Sequence, residues 1–292
     1  MILRKKIIGL LGSVEGNAGL FREELAERLG ISVSSVDEAA AGLIECGLLK
    51  VEETIAEGRK KSLRRYFLGK GASMIVIIRD NGGIRLSARC FDGEEIQRKY
   101  VMRNCSLTLR EDAEDVAALF APQIALLLND NSPCAFGALV RGEESEAWRR
   151  VGAELVVDED IYSSVLELSK ASRTPDVFAR LKADKTFELS VMRRGEEIVA
   201  RRSSNVDRSV GLAELVNLFE SDNFTLAFDE GLEDEAADMI DSVQKKCAEY
   251  GLGTNFILDS YAAREELFFK ILRNRLCDKA FKLKRNNKKR RV

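Results

Sequence analysis

The chain has no histidine among its 292 residues. That removes imidazole general bases, His-dependent triads and nitrogen-rich metal sites together. Chemistry would have to run on carboxylates, lysines, cysteines or hydroxyls. Six cysteines stand at 46, 90, 105, 134, 247 and 277, the nearest two fifteen residues apart, so no Cys-x-x-Cys or zinc-ribbon spacing exists and no metal or other cofactor is expected. They read as scattered reduced thiols of a cytoplasmic protein. What remains is suited to phosphate. Arg59, Lys60, Lys61, Arg64 and Arg65 crowd five cations into one short stretch, and the hydroxyls of Ser32, Ser34 and Ser35 stand close together upstream.

The elements that must hold these groups can be read from spacing. Ile7, Ile8 and Leu11 mark a first helix, and Phe21, Leu25 and Leu29 mark a second that stops at Gly30, a natural left-handed terminator. Ser32 then caps a third helix with Val36, Ala40, Leu43 and Ile44 inside, ending near Gly47. Two strand-like runs at 48–53 and 63–68 follow, joined by a tip with Gly58, Arg59, Lys60 and Lys61. Helix, helix-turn-helix and β-wing make residues 1–70 a winged helix that puts its third helix in the major groove of DNA, with the cationic wing on the backbone. The exposed start of that helix, Val33, Ser34, Ser35, Asp37 and Glu38, lacks Arg, Lys, Asn or Gln to pair with purine edges. The wing therefore carries the affinity, and Ser34 and Ser35 reach bases or phosphates.

Charge is distributed in the same sense. Residues 1–70 carry a net +2, residues 71–269 a net −14 and residues 270–292 a net +10. DNA would be repelled by the middle and met by the ends. No apolar run is long enough to span a membrane and no cleavable leader is evident, so no membrane partner is expected.

From residue 74 three strand-like runs (74–79, 84–90, 95–102) are joined by Asn81-Gly82-Gly83 and Asp92-Gly93. Thr108 opens a helix, then come a strand at 134–140, a helix around Trp148, a strand at 154–157 and a helix with Ile161, Val165 and Leu168. The order βββαβαβα recurs from 176 to 278. Two copies predict an α/β, two-lobed body with a cleft, lobes at about 71–172 and 173–278, of the actin/hexokinase-like (ribonuclease H-like) type. Residues 279–292, dense in Lys and Arg, read as a basic disordered tail, with added sequence-blind DNA affinity as the alternative.

A winged helix before a duplicated α/β body resembles the ROK (repressor, open reading frame, kinase) regulators. Gly30-Ile31-Ser32 through Val36, the run 43–49 and wing residues Gly58-Arg59 carry the resemblance, as do Asp80-Asn81-Gly82-Gly83-Ile84 and 156–160. It implies that Asp80, Gly82 and Gly83 are remnants of a phosphate loop and that Asp160 matches the sugar-activating base of kinase members. The residues themselves favour Asp160 as the N-cap of its helix, and Asn81-Gly82 as a type I′ turn. Against the family pattern, the second-lobe loop is Lys182-Ala183-Asp184-Lys185-Thr186 instead of glycine-rich, Ile84 replaces a hydroxyl, Glu230-Gly231 replaces a double glycine, and a His/Cys zinc site cannot exist. The expectation is a transcriptional regulator and not an enzyme: it binds double-stranded DNA as a homodimer, has no catalytic residue, and uses an inactive kinase-like body for dimerisation, with small-molecule effector sensing left open. The alternatives are a protein-interaction module that has lost specific DNA reading and, further off, an active sugar kinase.

Overall fold

A computed structural model describes residues 2–14, 17–55, 62–80, 83–102, 110–129, 133–172, 174–203 and 208–289. The chain divides into two compact units, one of residues 1–156 with 272–292, the other of residues 157–271.

The first unit opens with helices α1 (Ile2–Gly12), α2 (Arg22–Leu29) and α3 (Val33–Ile44) and strands β1 (Leu20–Phe21), β2 (Leu49–Ile55) and β3 (Ser62–Leu68), paired in the order β1-β3-β2. Local chemistry sets the breaks. The Glu24 carboxylate accepts from the Phe21 amide at 2.7 Å to start α2, and Gly30 ends it at φ 62°, a conformation open to glycine at little cost. Ser32 starts α3 by accepting from the Ser35 amide at 3.2 Å. Ile7, Ile8, Leu11, Leu25, Val36, Ala40 and Leu43 are buried. β1 escaped the sequence reading because two residues carry no periodicity.

The same unit holds β4 (Ser73–Asp80), β5 (Gly83–Cys90), β6 (Glu95–Met102), α4 (Arg110–Asn129), β7 (Cys134–Leu139), α5 (Ser145–Arg150) and, at the unit boundary, β8 (Leu155–Val157). The five-stranded sheet runs β6-β5-β4-β7-β8, with β4 antiparallel to β5 and parallel to β7. Met74 to Ile78 are buried without alternation, as befits a central strand covered on both faces. Ile77, Leu86, Phe120, Phe136 and Trp148 form the core between this sheet and its helices.

The second unit holds α6 (Ile161–Ser169), β9 (Asp176–Leu181), β10 (Phe187–Arg193), β11 (Glu196–Ser203), α7 (Arg208–Leu218), β12 (Asn223–Phe228), α8 (Glu233–Glu249) and β13 (Asn255–Leu258), and α9 (Tyr261–Lys289) begins in it. Its sheet runs β11-β10-β9-β12-β13, the strand order of the first sheet repeated. Each half is thus βββαβαβα.

Two expectations are corrected. The lobes do not divide near residue 172. The helix closing the first copy, α6, belongs to the second unit, where Tyr162 meets Phe178 edge-on at 5.3 Å and Ser169 Oγ accepts from the Gly195 amide at 2.9 Å. The helix closing the second copy, α9, belongs from Leu272 onward to the first unit. Nor does secondary structure stop at 278, since α9 is helical through Lys289. Lys and Arg are good helix formers and suit a helix carboxyl end, and the helix is held just upstream, where Lys5 pairs with Asp278 at 2.8 Å and Lys279 reaches the Cys134 carbonyl at 2.9 Å.

Candidate nucleic-acid interface and phosphate loops

At the start of α3, Ser34 and Ser35 hydroxyls lie 2.9 and 2.8 Å from Ser32 Oγ, so the three hydroxyls form one small cluster at the cap. The carboxylate of Asp37, one turn on, is already satisfied. Tyr66 Oη donates to it at 2.6 Å, and Arg22 and Arg64 approach it at 3.6 and 3.8 Å. Burial and then the Asp37 contact push the Tyr66 hydroxyl up to about 12. The acid that spoils a groove helix in sequence is therefore neutralised by its own module.

Two of the five cations of the β2–β3 hairpin, Arg64 and Arg65, have internal partners too. Arg59, Lys60 and Lys61 lie outside the described residues. Arg64 donates to Glu53 at 2.7 Å, directly across the β2–β3 ladder. Arg65 lies over the rings of Phe21 at 5.0 Å and Phe67 at 5.7 Å. Neither partnership shows in a linear charge count. Glu53 opposite Arg64 follows only once the hairpin register is known.

In open α/β sheets ligands gather at the carboxyl ends of parallel strands. In the first sheet, Asp80 and Gly83 form the last pair of the β4–β5 ladder, while Gly82 and the Asp80 side chain lie outside the described residues. Beside them, a buried ion pair that sequence reading missed joins Arg79, at the end of β4, to Glu144, in the turn after β7. A shallow groove of about 410 Å³ next to it is lined by Gly142, Glu143, Ser145, Glu146 and Arg149, more acid than base.

In the second sheet the loop after β9 is closed on itself. The Lys182 amide donates to the Thr186 carbonyl at 3.0 Å and the Lys185 amide to the Lys182 carbonyl at 2.8 Å. The Thr186 amide donates to Asp184 at 2.9 Å and the Ala183 amide to Asp229 at 3.1 Å. Arg180 holds Asp229 at 3.0 Å, Lys182 pairs with Glu188, and Lys185 faces Glu235 at 3.9 Å. The Ala183 amide keeps the Asp229 carboxyl below the usual carboxylate range, as the Thr186 hydroxyl does for Asp184. A phosphate would meet two ionised acids and no idle amide among these four.

Asp160 occupies the N-cap position of α6, yet its carboxylate makes no capping bond; its amide donates to Asp158 at 3.2 Å. Asp160 thus stands at the N-cap as the sequence predicts, without the side-chain bond, because the carboxylate does not turn back to the helix amides. Nearby, Arg264 forks onto Asp259 at 2.8 and 3.0 Å and donates to the Glu159 carbonyl at 3.3 Å.

A further polar cluster sits at the amino ends of the second sheet. Asp176 is fully buried; its Oδ1 accepts from Asn223 at 2.7 Å, and its Oδ2 has no hydrogen-bond partner. Asn223 Oδ1 in turn accepts from Lys270 at 3.0 Å and Asn255 at 3.3 Å. Burial pushes the Asp176 carboxyl up to about 7. Its only early signal was an acid opening a strand whose next three residues are apolar.

Among the described residues no group of His, Cys, Asp and Glu could hold a metal ion, and no helix is long and apolar enough to cross a membrane.

No family model matches the chain. No curated protein matches it either. Among solved structures it is similar to a ROK family transcriptional regulator described as a homolog of the E. coli MLC protein, at 10% identity and a TM-score of 0.46, over 96% of this chain and 98% of that one. It is also similar to a ROK family protein from Streptococcus pneumoniae in complex with sucrose, at 10% identity and a TM-score of 0.40, over 71% of this chain and 99% of that one. A ROK hexokinase from Thermus thermophilus matches at 11% identity and a TM-score of 0.39, over 71% of this chain and 99% of that one. The structures that this chain is similar to thus include ROK family proteins, regulator and kinase alike.

Proposed function

We propose that the chain is a ROK-type transcriptional regulator, a cytoplasmic homodimer that binds double-stranded DNA through its N-terminal winged helix and has no kinase activity. The observation that carries the DNA reading is the order α1, α2, α3, β2–β3 hairpin, with the Gly30-Ile31-Ser32 turn between α2 and α3. Ser32, Ser34 and Ser35 then meet the groove and its phosphates, and Arg59, Lys60 and Lys61 at the wing tip meet the backbone. Arg64 and Arg65 chiefly build the wing, since their partners are Glu53, Phe21 and Phe67.

The inactive-body reading rests on the second-lobe loop, whose amides and cations are occupied by the protein itself. Asp80, Gly82, Gly83 and Asp160 are on this reading vestiges. Nothing about them names an effector, and the body serves dimerisation.

A second reading, a protein-interaction module without specific DNA recognition, draws on the same internal use of Arg64 and Arg65. Genome-wide mapping of where the protein sits on DNA separates the two. The regulator reading expects discrete peaks sharing a symmetric sequence, and a flat profile would contradict it.

A further inference from the structure

Phosphate affinity has to come from cations that are not spent inside the protein. In the described part of the N-terminal module most are spent. Arg22 pairs with Glu23 at 2.8 Å, Lys50 with Glu52 at 2.8 Å, Arg64 with Glu53, and Lys5 with Asp278, while Arg65 lies over two aromatic rings. A groove helix that brings only serines and a wing whose strand cations are engaged make a weak electrostatic grip.

The densest run of cations in the sequence without an intervening acid lies at the far end of α9. Lys282, Lys284, Arg285, Lys288 and Lys289 fall within eight residues with no acid among them, and the backbone there is helical through Lys289. Eight residues of helix extend about 12 Å, a length of duplex that presents on the order of seven phosphate charges. The helix is fixed immediately before this stretch. Asp278 pairs with Lys5 of α1 at 2.8 Å, Lys279 reaches Glu154 at 2.5 Å, Cys277 is buried, and Arg273 lies over the Phe91 ring at 5.9 Å. The basic stretch therefore starts from a clamp on the first helix of the module that bears α3.

From this placement, and resting on the DNA reading above, we infer that residues 282–289 of α9 are a cationic arm that grips the phosphate backbone of double-stranded DNA. Composition favours a phosphate backbone over a protein surface. Residues 284–289 contain Lys, Arg and Asn alone, without the apolar or aromatic anchors that the centre of a protein interface uses. Held on a clamped helix, the arm adds affinity without selecting sequence. Ser32, Ser34, Ser35 and the wing tip are left to set register.

The test uses the full chain with all five cations changed to Gln, which keeps helix propensity, and a second variant carrying only Lys288→Gln and Lys289→Gln. Fluorescence anisotropy with a 30-base-pair duplex is recorded across 50–200 mM salt, with circular dichroism to check the fold. The slope of log affinity against log salt should fall by about 3–4 in the quintuple variant and by about 1–2 in the double one, with affinity at least tenfold weaker for the former at about 0.1 M salt. An unchanged slope in both variants, with the parent chain binding well, overturns the arm alone. A parent that binds no duplex at all overturns the DNA reading with it. Loss of self-association in sedimentation, at unchanged DNA slope, would assign the arm to the acidic surface of a second copy and also overturn the inference.

Discussion

The carboxyl ends of the two five-stranded sheets share one strand order and are finished by opposite means. In the first, Arg79 and Glu144 bury their charges against each other at the ends of β4 and β7. In the second, Asp184 and Asp229 keep their charges in water and satisfy the loop amides from outside. The buried carboxyl of the second sheet sits instead at its amino ends, in Asp176. A sheet end can thus be finished either with a charge pair in the core or by folding a loop onto itself. Only the first choice ties closure to the stability of the fold.

The largest consequence is expected at Glu144. Glu144→Ala leaves the Arg79 guanidinium buried without its counter-ion and should destabilise the fold by about 3–5 kcal/mol in urea titration. Replacing both residues by Met and Leu should recover most of that loss. Equal destabilisation by the single and double variants would mean that the pair is not the closing element.

Next comes Asp176. Its folded-state value of about 7 lies above the ordinary 3.8, so the fold holds a proton that the unfolded chain releases. That contribution is full below the ordinary value and is lost as pH rises toward 7. Stability should decline between about pH 4 and 7 from this residue, and Asp176→Asn should flatten the decline and stabilise the protein at pH 8 by about 2–4 kcal/mol. A variant less stable than the parent at pH 8 would show that the ionised carboxylate is needed by Lys270 and Asn223.

The smallest effect belongs to the second loop. Asp229→Ala removes one exposed acceptor from the Ala183 amide and one partner from Arg180, and should cost about 0.5–1 kcal/mol. A loss as large as that at Glu144 would erase the contrast between the two sheet ends.

What could be read in the sequence follows from range. Helices whose apolar residues repeat, such as α6 and the inner face of α3, stood out because period reports burial. So did the Ser32 cap and Gly30, which act within four residues. Arg79 and Glu144 are 65 residues apart and Asp176 and Asn223 are 47 apart, so no local pattern joins them. The exchange of α6 and α9 between units is equally invisible, because each helix follows its own copy in the chain and packs elsewhere. The helical run of α9 through Lys289 does not follow from charge density; the helix propensity of Lys and Arg and the clamp at Asp278 and Lys279 favour it. At the interface, Arg64 and Arg65 counted as free cations until the hairpin register supplied Glu53 and the rings.

The central claim of the proposed function is that the doubled α/β body offers no phosphate cradle in the loop after β9. Isothermal titration of the full chain with magnesium ATP addresses it directly. The account predicts no saturable heat at any concentration reached, because the loop at Lys182 to Thr186 presents the Asp184 carboxylate, has Asp229 bonded to it, and has its amides occupied. A saturable one-to-one isotherm, abolished by substitutions in that loop, would contradict it.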